Sequence, residues 1–127
     1  MDIPTDLEAL AGKDVTQALA LHDLAYGWLQ QVLFRVEDVW LAVRVNEDTD
    51  EIILTILPEL DVAVLERQFS FSQISNQRKK LNWLWRMTNQ HGYEDGFQLA
   101  FDDAEGTNVQ LLAEASQLQL HIFQRYR

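Results

Sequence analysis

Residues 81–101 read LNWLWRMTNQHGYEDGFQLAF, and the fold turns on how this stretch is read. In the first arm Trp83, Trp85 and Met87 share one parity, while Asn82, Arg86 and Thr88 share the other. Successive side chains of a strand point to opposite faces, so this alternation predicts a strand with one apolar face. Leu84 breaks the pattern by falling on the polar parity. The second arm is cleaner: Phe97, Leu99 and Phe101 alternate with Gln98, Ala100 and Asp102. Between the arms, residues 89–96 hold Asn89, Asp95 and two glycines, Gly92 and Gly96. Glycine reaches positive φ at little steric cost and Asn and Asp favour turns, so the stretch predicts a hairpin with a long loop.

The same alternation extends in both directions. Downstream, Gly106 marks a turn, and residues 109–113 and 118–123 predict a last pair of strands. Upstream, residues 28–36, 39–45 and 51–57 alternate, with Glu37-Asp38 and residues 46–50 as turns. Residues 52–57 are apolar on both parities, which predicts a central strand covered on both faces. Pro58 ends that strand because it cannot donate to a ladder. Residues 59–68 fit a helix through Leu60 and Val64 and fit a strand through Val62 and Val64. Residues 69–80 hold Ser70, Ser72, Ser75 and Asn76 and read as an irregular connection. Residues 15–22 read as a strand, with helix competing because alanine and leucine favour it. At the start, Thr5 and Glu8 form a capping-box pattern for a short helix ending at Gly12, with Leu7 and Leu10 on its apolar face. The expected fold is mainly β: one domain over residues 1–127, an antiparallel meander of seven to eight strands curled into a barrel or a sandwich, with one or two short helices.

Composition bounds the function. A chain of 127 residues buries roughly two-thirds of its unfolded surface, enough for a core. There is no cysteine, so no disulfide, no thiol nucleophile and no cysteine-ligated metal. A net charge of -10 argues against nucleic-acid binding, which needs a basic surface, and favours a basic protein partner or self-association. The first residues, MDIPTDLEAL, are acidic and lack the apolar run of a secretory signal. No stretch approaches ~20 consecutive apolar residues. The expectation is a cytoplasmic protein without a membrane span.

Few residues carry recognisable chemistry. His91, Glu94 and Asp95 share the hairpin tip and could ligate a metal or pair as base and carboxylate. Their spacing matches no complete ligand set, and His22 and His121 lie far off in sequence. His22-Asp23 reads more simply as a strand end and a turn. The carboxylates Glu47, Asp48, Asp50 and Glu51 lack the glycine and spacing of an EF-hand loop. Arg78-Lys79-Lys80, near Arg86, Trp83 and Trp85, could meet a phosphate or base, or pair with the protein's own acidic surface. Trp40 opposes the Val39, Leu41 and Val43 parity and would stand outside if those residues are core. No phosphate-binding, dinucleotide or hydrolase motif is present, so no cofactor, metal or catalytic residue is assigned and the reading leans away from an enzyme.

Within residues 83–101, the run Thr88-Asn89-Gln90-His91-Gly92-Tyr93-Glu94-Asp95-Gly96-Phe97-Gln98 resembles a segment of small bacterial domains of unknown function, some of them cyanobacterial. The resemblance implies a protein-binding role of the immunity or adaptor kind and transfers no functional residue. From the residues themselves, interaction is assigned to the tip and to any exposed tryptophan: Gln90, His91, Tyr93, Glu94, Asp95 and Trp40. The alternative is a barrel that binds a small ligand or metal, conceivably an enzyme, with His91, Glu94 and Asp95 at its mouth and Trp83, Trp85 and Phe97 lining a pocket.

Overall fold

The computed structural model describes residues 7–115 and 117–125. Among them are nine strands and one helix: β1 (Asp14–Asp23), β2 (Leu29–Val36), β3 (Val39–Asn46), β4 (Glu51–Leu57), α1 (Val62–Gln68), β5 (Phe69–Ser75), β6 (Lys79–Thr88), β7 (Glu94–Asp102), β8 (Thr107–Glu114) and β9 (Gln117–Gln124). Every pairing is antiparallel, in the order β4-β3-β2-β1-β6-β7-β8-β9, with β5 also on β1. The ends of this path, β4 and β9, do not pair, so the sheet is open rather than closed into a barrel.

The sheet bends because one edge of β1 is shared. Residues 18–23 of β1 pair with β5, while Asp14 and Val15 pair with Lys80 and Lys79 of β6. β6 pairs with β7 from Lys80 onward, and Leu81 still exchanges backbone hydrogen bonds with Gly12 and Lys13 before β6 turns away. One half, β1 to β5, therefore faces the other, β6 to β9; β4 packs across β7 and β8, while β2 and β3 pack across β9. The main core lies between them: Val32, Phe34, Leu41 and Val43 from the first half meet Leu81, Phe97, Leu99 and Leu111 from the second.

A second, smaller core covers the other face of the first half. Leu21, Leu33 and Ala42 are buried there, with Trp40, Leu57, Leu65, Phe69 and Phe71 packed around them. Helix α1 supplies Leu65 to it, and the preceding Leu60 packs there too. The Asp61 carboxylate caps the helix, accepting from the Val64 amide at 3.2 Å. Within the ambiguous residues 59–68, this resolves residues 62–68 as a helix with Leu65 on its contact face.

Three expectations need correction. Residues 51–57 form an edge strand, not a central one; they are apolar on both parities because cores lie on both faces, not because strands lie on both sides. Residues 69–75 form a strand, not an irregular connection: Phe69 and Phe71 alternate with Ser70 and Ser72, and Phe71 pairs with Leu21. The strand count is nine, with β5 the addition. At the start of the chain, Leu7 and Leu10 join the main core, and Gly12 takes φ +87° where the turn ends. The expected Thr5 cap lies outside the described residues. Among the described residues no helix is long and apolar enough to cross a membrane.

Candidate functional site

A register shift in β6 sets the site. Leu81 pairs with Phe101 and is fully buried, but the next pair is Trp83 with Ala100, so Asn82 is an extra residue. Such a bulge exchanges the faces of everything after it. Leu84, on the polar parity by sequence, faces Leu99 and the main core. Trp83 and Trp85 face outward, 63% and 39% exposed. Fully buried Phe97 points the other way, so Trp83, Trp85 and Phe97 do not line one pocket.

The outer face of β6 to β9 then forms three rows across the strands. Trp83, Ala100, Asn108 and Phe123 make the first; Trp85, Gln98, Gln110 and His121 the second; Met87, Gly96, Leu112 and Gln119 the third. The middle is held by side-chain amides. Gln98 Nε2 donates to Asn108 Oδ1 at 3.0 Å, Gln110 Nε2 donates to Gln98 Oε1 at 3.3 Å, and Asn108 Nδ2 donates to the Gly106 carbonyl at 3.0 Å. Met87 lies over Gly96, where a Cβ would come within 2.6 Å of its Cε. Glycine there lets the methionine lie flat against the strand. The result is a neutral, amide-braced face with tryptophans at one side and Phe123, 42% exposed, at the other.

The hairpin tip is organised by its own first residue. Asn89 Oδ1 accepts from the amides of His91 at 2.9 Å and Tyr93 at 3.2 Å, and Asn89 Nδ2 donates to Asp95 Oδ2 at 3.2 Å. Glu94 pairs with Arg86 at 2.6 Å, and its amide donates to Glu51 Oε2 at 3.1 Å, tying the tip to the β3–β4 turn. Gln90 and His91 are exposed, as is Tyr93, whereas Glu94 and Asp95 are half-buried. Asp95 and Glu94 thus serve the loop's own bonding. Among the described residues no group of three histidine, aspartate or glutamate side chains is placed to hold a metal. An open sheet also has no barrel mouth for this loop to guard.

Trp40 stands on the outer face of the first half, as its parity implies. It is half-buried against the small core, with the Arg35 guanidinium 5.5 Å from its ring centre. The basic run pairs internally: Arg78 meets Asp14 and Lys79 meets Asp103, each at 3.1 Å. Asp103 also accepts from the Thr107 hydroxyl at 2.6 Å and its amide at 2.8 Å. Burial alone would raise the Asp103 pKa; the Thr107 and Lys79 hydrogen bonds and the Lys79 charge outweigh it and hold the carboxyl at about 2. Asp23 accepts from the Tyr26 amide at 2.5 Å, which lowers its pKa and closes the β1–β2 turn. That turn exposes Leu24 and a stacked Tyr26–Trp28 pair with ring centres 5.0 Å apart.

Sequence reasoning named Trp83 and Trp85, as pocket lining in the alternative reading and as interaction candidates if exposed, and it missed Phe123, Gln98 and Gln110. The available signal was Leu84: an apolar residue out of step between two tryptophans marks a bulge before it. A family model, described as a family of unknown function (DUF6334), matches residues 1–127, and the chain belongs to that family. The likeness seen in residues 83–101 therefore extends over the whole chain. No curated protein and no solved structure matches it.

Proposed function

We propose that this member of a family without an assigned activity is a protein-binding module, and that it takes its partner on the outer face of β6 to β9. The supporting observation is the exposure of Trp83 and Trp85 at one side and Phe123 at the other side of one face, while α1 packs on the equivalent face of the other half. Large aromatics left in water on a soluble domain mark contact surfaces, and tryptophan is enriched among residues that dominate binding energy. The amide bracing favours a protein contact: it fixes the face in advance, so little ordering is needed on docking. The net charge of -10 favours a partner with a basic rim around an apolar patch. The exposed tip residues Gln90, His91 and Tyr93 lie at the far end of β6 and would meet only a partner that extends that far.

The test places a photo-reactive side chain at position 83 and, as a control, at position 38, then cross-links in the native cells. The reading expects one protein with a basic surface captured from position 83 and not from position 38. Purified, that protein should bind less tightly as salt rises and at least about tenfold less tightly to Trp83→Ala, the loss of a central tryptophan anchor. Capture of a second copy of this chain would replace the partner with a homodimer. Capture at equal levels from both positions, or of nothing, would remove the face from consideration.

A further inference from the structure

The bend in the sheet leaves a gap. Between the β1 pairings to β5 and to β6, residues 76–78 leave the ladder, and β1 itself carries register shifts between Val15 and Gln17 and between Ala18 and Leu19. The break in the ladder falls between the pairs Ala18–Ser75 and Val15–Lys79. Behind it lies a cavity of about 340 Å³ whose apolar lining comes from both halves: Ala18, Phe34, Ile74, Phe101, Val109 and Ile122. That volume is at the lower end of the roughly 300–1,000 Å³ range of small-molecule pockets. Ile122 is 52% exposed and stands at the entrance. The cavity lies at the start of β6, the opposite end from residues 89–95.

We infer that this cavity is a binding site for a small uncharged amphiphile, with an apolar chain against Phe34, Phe101 and Val109 and a hydroxyl or amide head at the rim. The rim supplies the head's partners. Ser75 Oγ accepts from the Gln77 amide at 3.2 Å, and a hydroxyl that accepts still has a proton to donate. The charge at the rim is already matched: Lys79 Nζ sits 3.1 Å from Asp103 Oδ2 and 3.4 Å from Thr107 Oγ1. A carboxylate ligand would bring a second anion beside Asp103 and compete for a lysine that is engaged, so a neutral head is favoured over an acidic one. A cationic head would meet Lys79. The apolar lining rewards chain length, because each further methylene that enters it leaves water.

The probe is 1-octanol, titrated into the full chain and followed by amide chemical shifts. Saturable shifts are expected at Ala18, Ile74, Thr107 and Val109. Octanoate, of equal length but charged, should bind at least about tenfold more weakly at neutral pH, a difference of ~1.4 kcal/mol. Ile122→Trp, which narrows the entrance from an exposed position, should weaken octanol at least about tenfold and leave the melting temperature unchanged. Ala18→Leu, which fills the interior, should do the same to binding. The inference fails if octanol shifts do not saturate, if they centre on Trp83 and Trp85, if octanoate binds as tightly as octanol, or if neither substitution weakens binding. Shifts at Trp83 and Trp85 would report the docking face and leave that separate reading untouched.

Discussion

Leu21 and Trp83 both point away from the main core, yet Leu21 is fully buried and Trp83 is mostly in water. The difference lies in where the chain goes once each half of the sheet is laid down. After β4 it places α1 over the first half and adds β5 alongside β1, and Leu65, Phe69 and Phe71 pack around Leu21. Among the described residues, the outer face of the second half keeps Trp83 and Trp85 exposed. The chain has thus used apolar side chains on one outer face to hold itself together. On the other it has used amides for bracing and left its aromatics available. Apolar residues in these two places have the same chemistry, and burial separates them.

Four measurements break or sharpen this contrast. The largest effect is expected at Leu21→Ala, which opens a cavity under α1 and should cost about 3 kcal/mol in urea unfolding. A loss below about 1 kcal/mol would mean that α1 does not seal that face. Next is Asp103→Asn, which weakens the bonds from Thr107 and Lys79 that pin the bend and should cost about 2 kcal/mol at neutral pH. The Asp103 carboxyl titrates below its unfolded value of 3.8, near 2, so its contribution is present above pH ~4 and fades as pH falls toward 2. Melting temperature should therefore drop more steeply across that window in the parent chain than in Asp103→Asn. Parallel curves would show that the bend is not held by this charge.

Third, Gly96→Ala should cost about 1 kcal/mol, because its Cβ would press on Met87 and Leu112. A neutral result would show that Met87 is not seated on the strand. The smallest effect is expected at Trp83→Ala, within about 0.5 kcal/mol of the parent, since an exposed side chain leaves no cavity. A loss approaching that of Leu21→Ala would place Trp83 in the structure's own stability and remove the reason for assigning it to a partner.

Particular residues show how much was legible in advance. The alternation in residues 39–45 and 51–57 placed β3 and β4 directly, because the inner and outer parities were uninterrupted. The loop read over residues 89–96 was legible because Asn89 and Gly92 are turn formers for local reasons, but its last three residues, Glu94 to Gly96, already belong to β7. Residues 69–75 were not legible as a strand, since serines are weak strand signals and only pairing with β1 selects the extended form. The outward placement of Trp83 and Trp85 was hidden by one inserted residue, Asn82. Of the residues assigned to interaction, Gln90, His91 and Tyr93 proved exposed, whereas Glu94 and Asp95 are engaged in the loop and Trp40 is half covered.

The amino-acid order alone fixed a β-rich chain, the position of most strands and turns, and a strongly acidic charge, because alternation, turn chemistry and charge are properties of neighbouring residues. Which strands pair, where the sheet bends, which of β6's faces meets water and where the cavity opens were decided only in three dimensions. Those outcomes depend on register between segments distant in sequence, and a shift of a single residue there exchanges inside for outside.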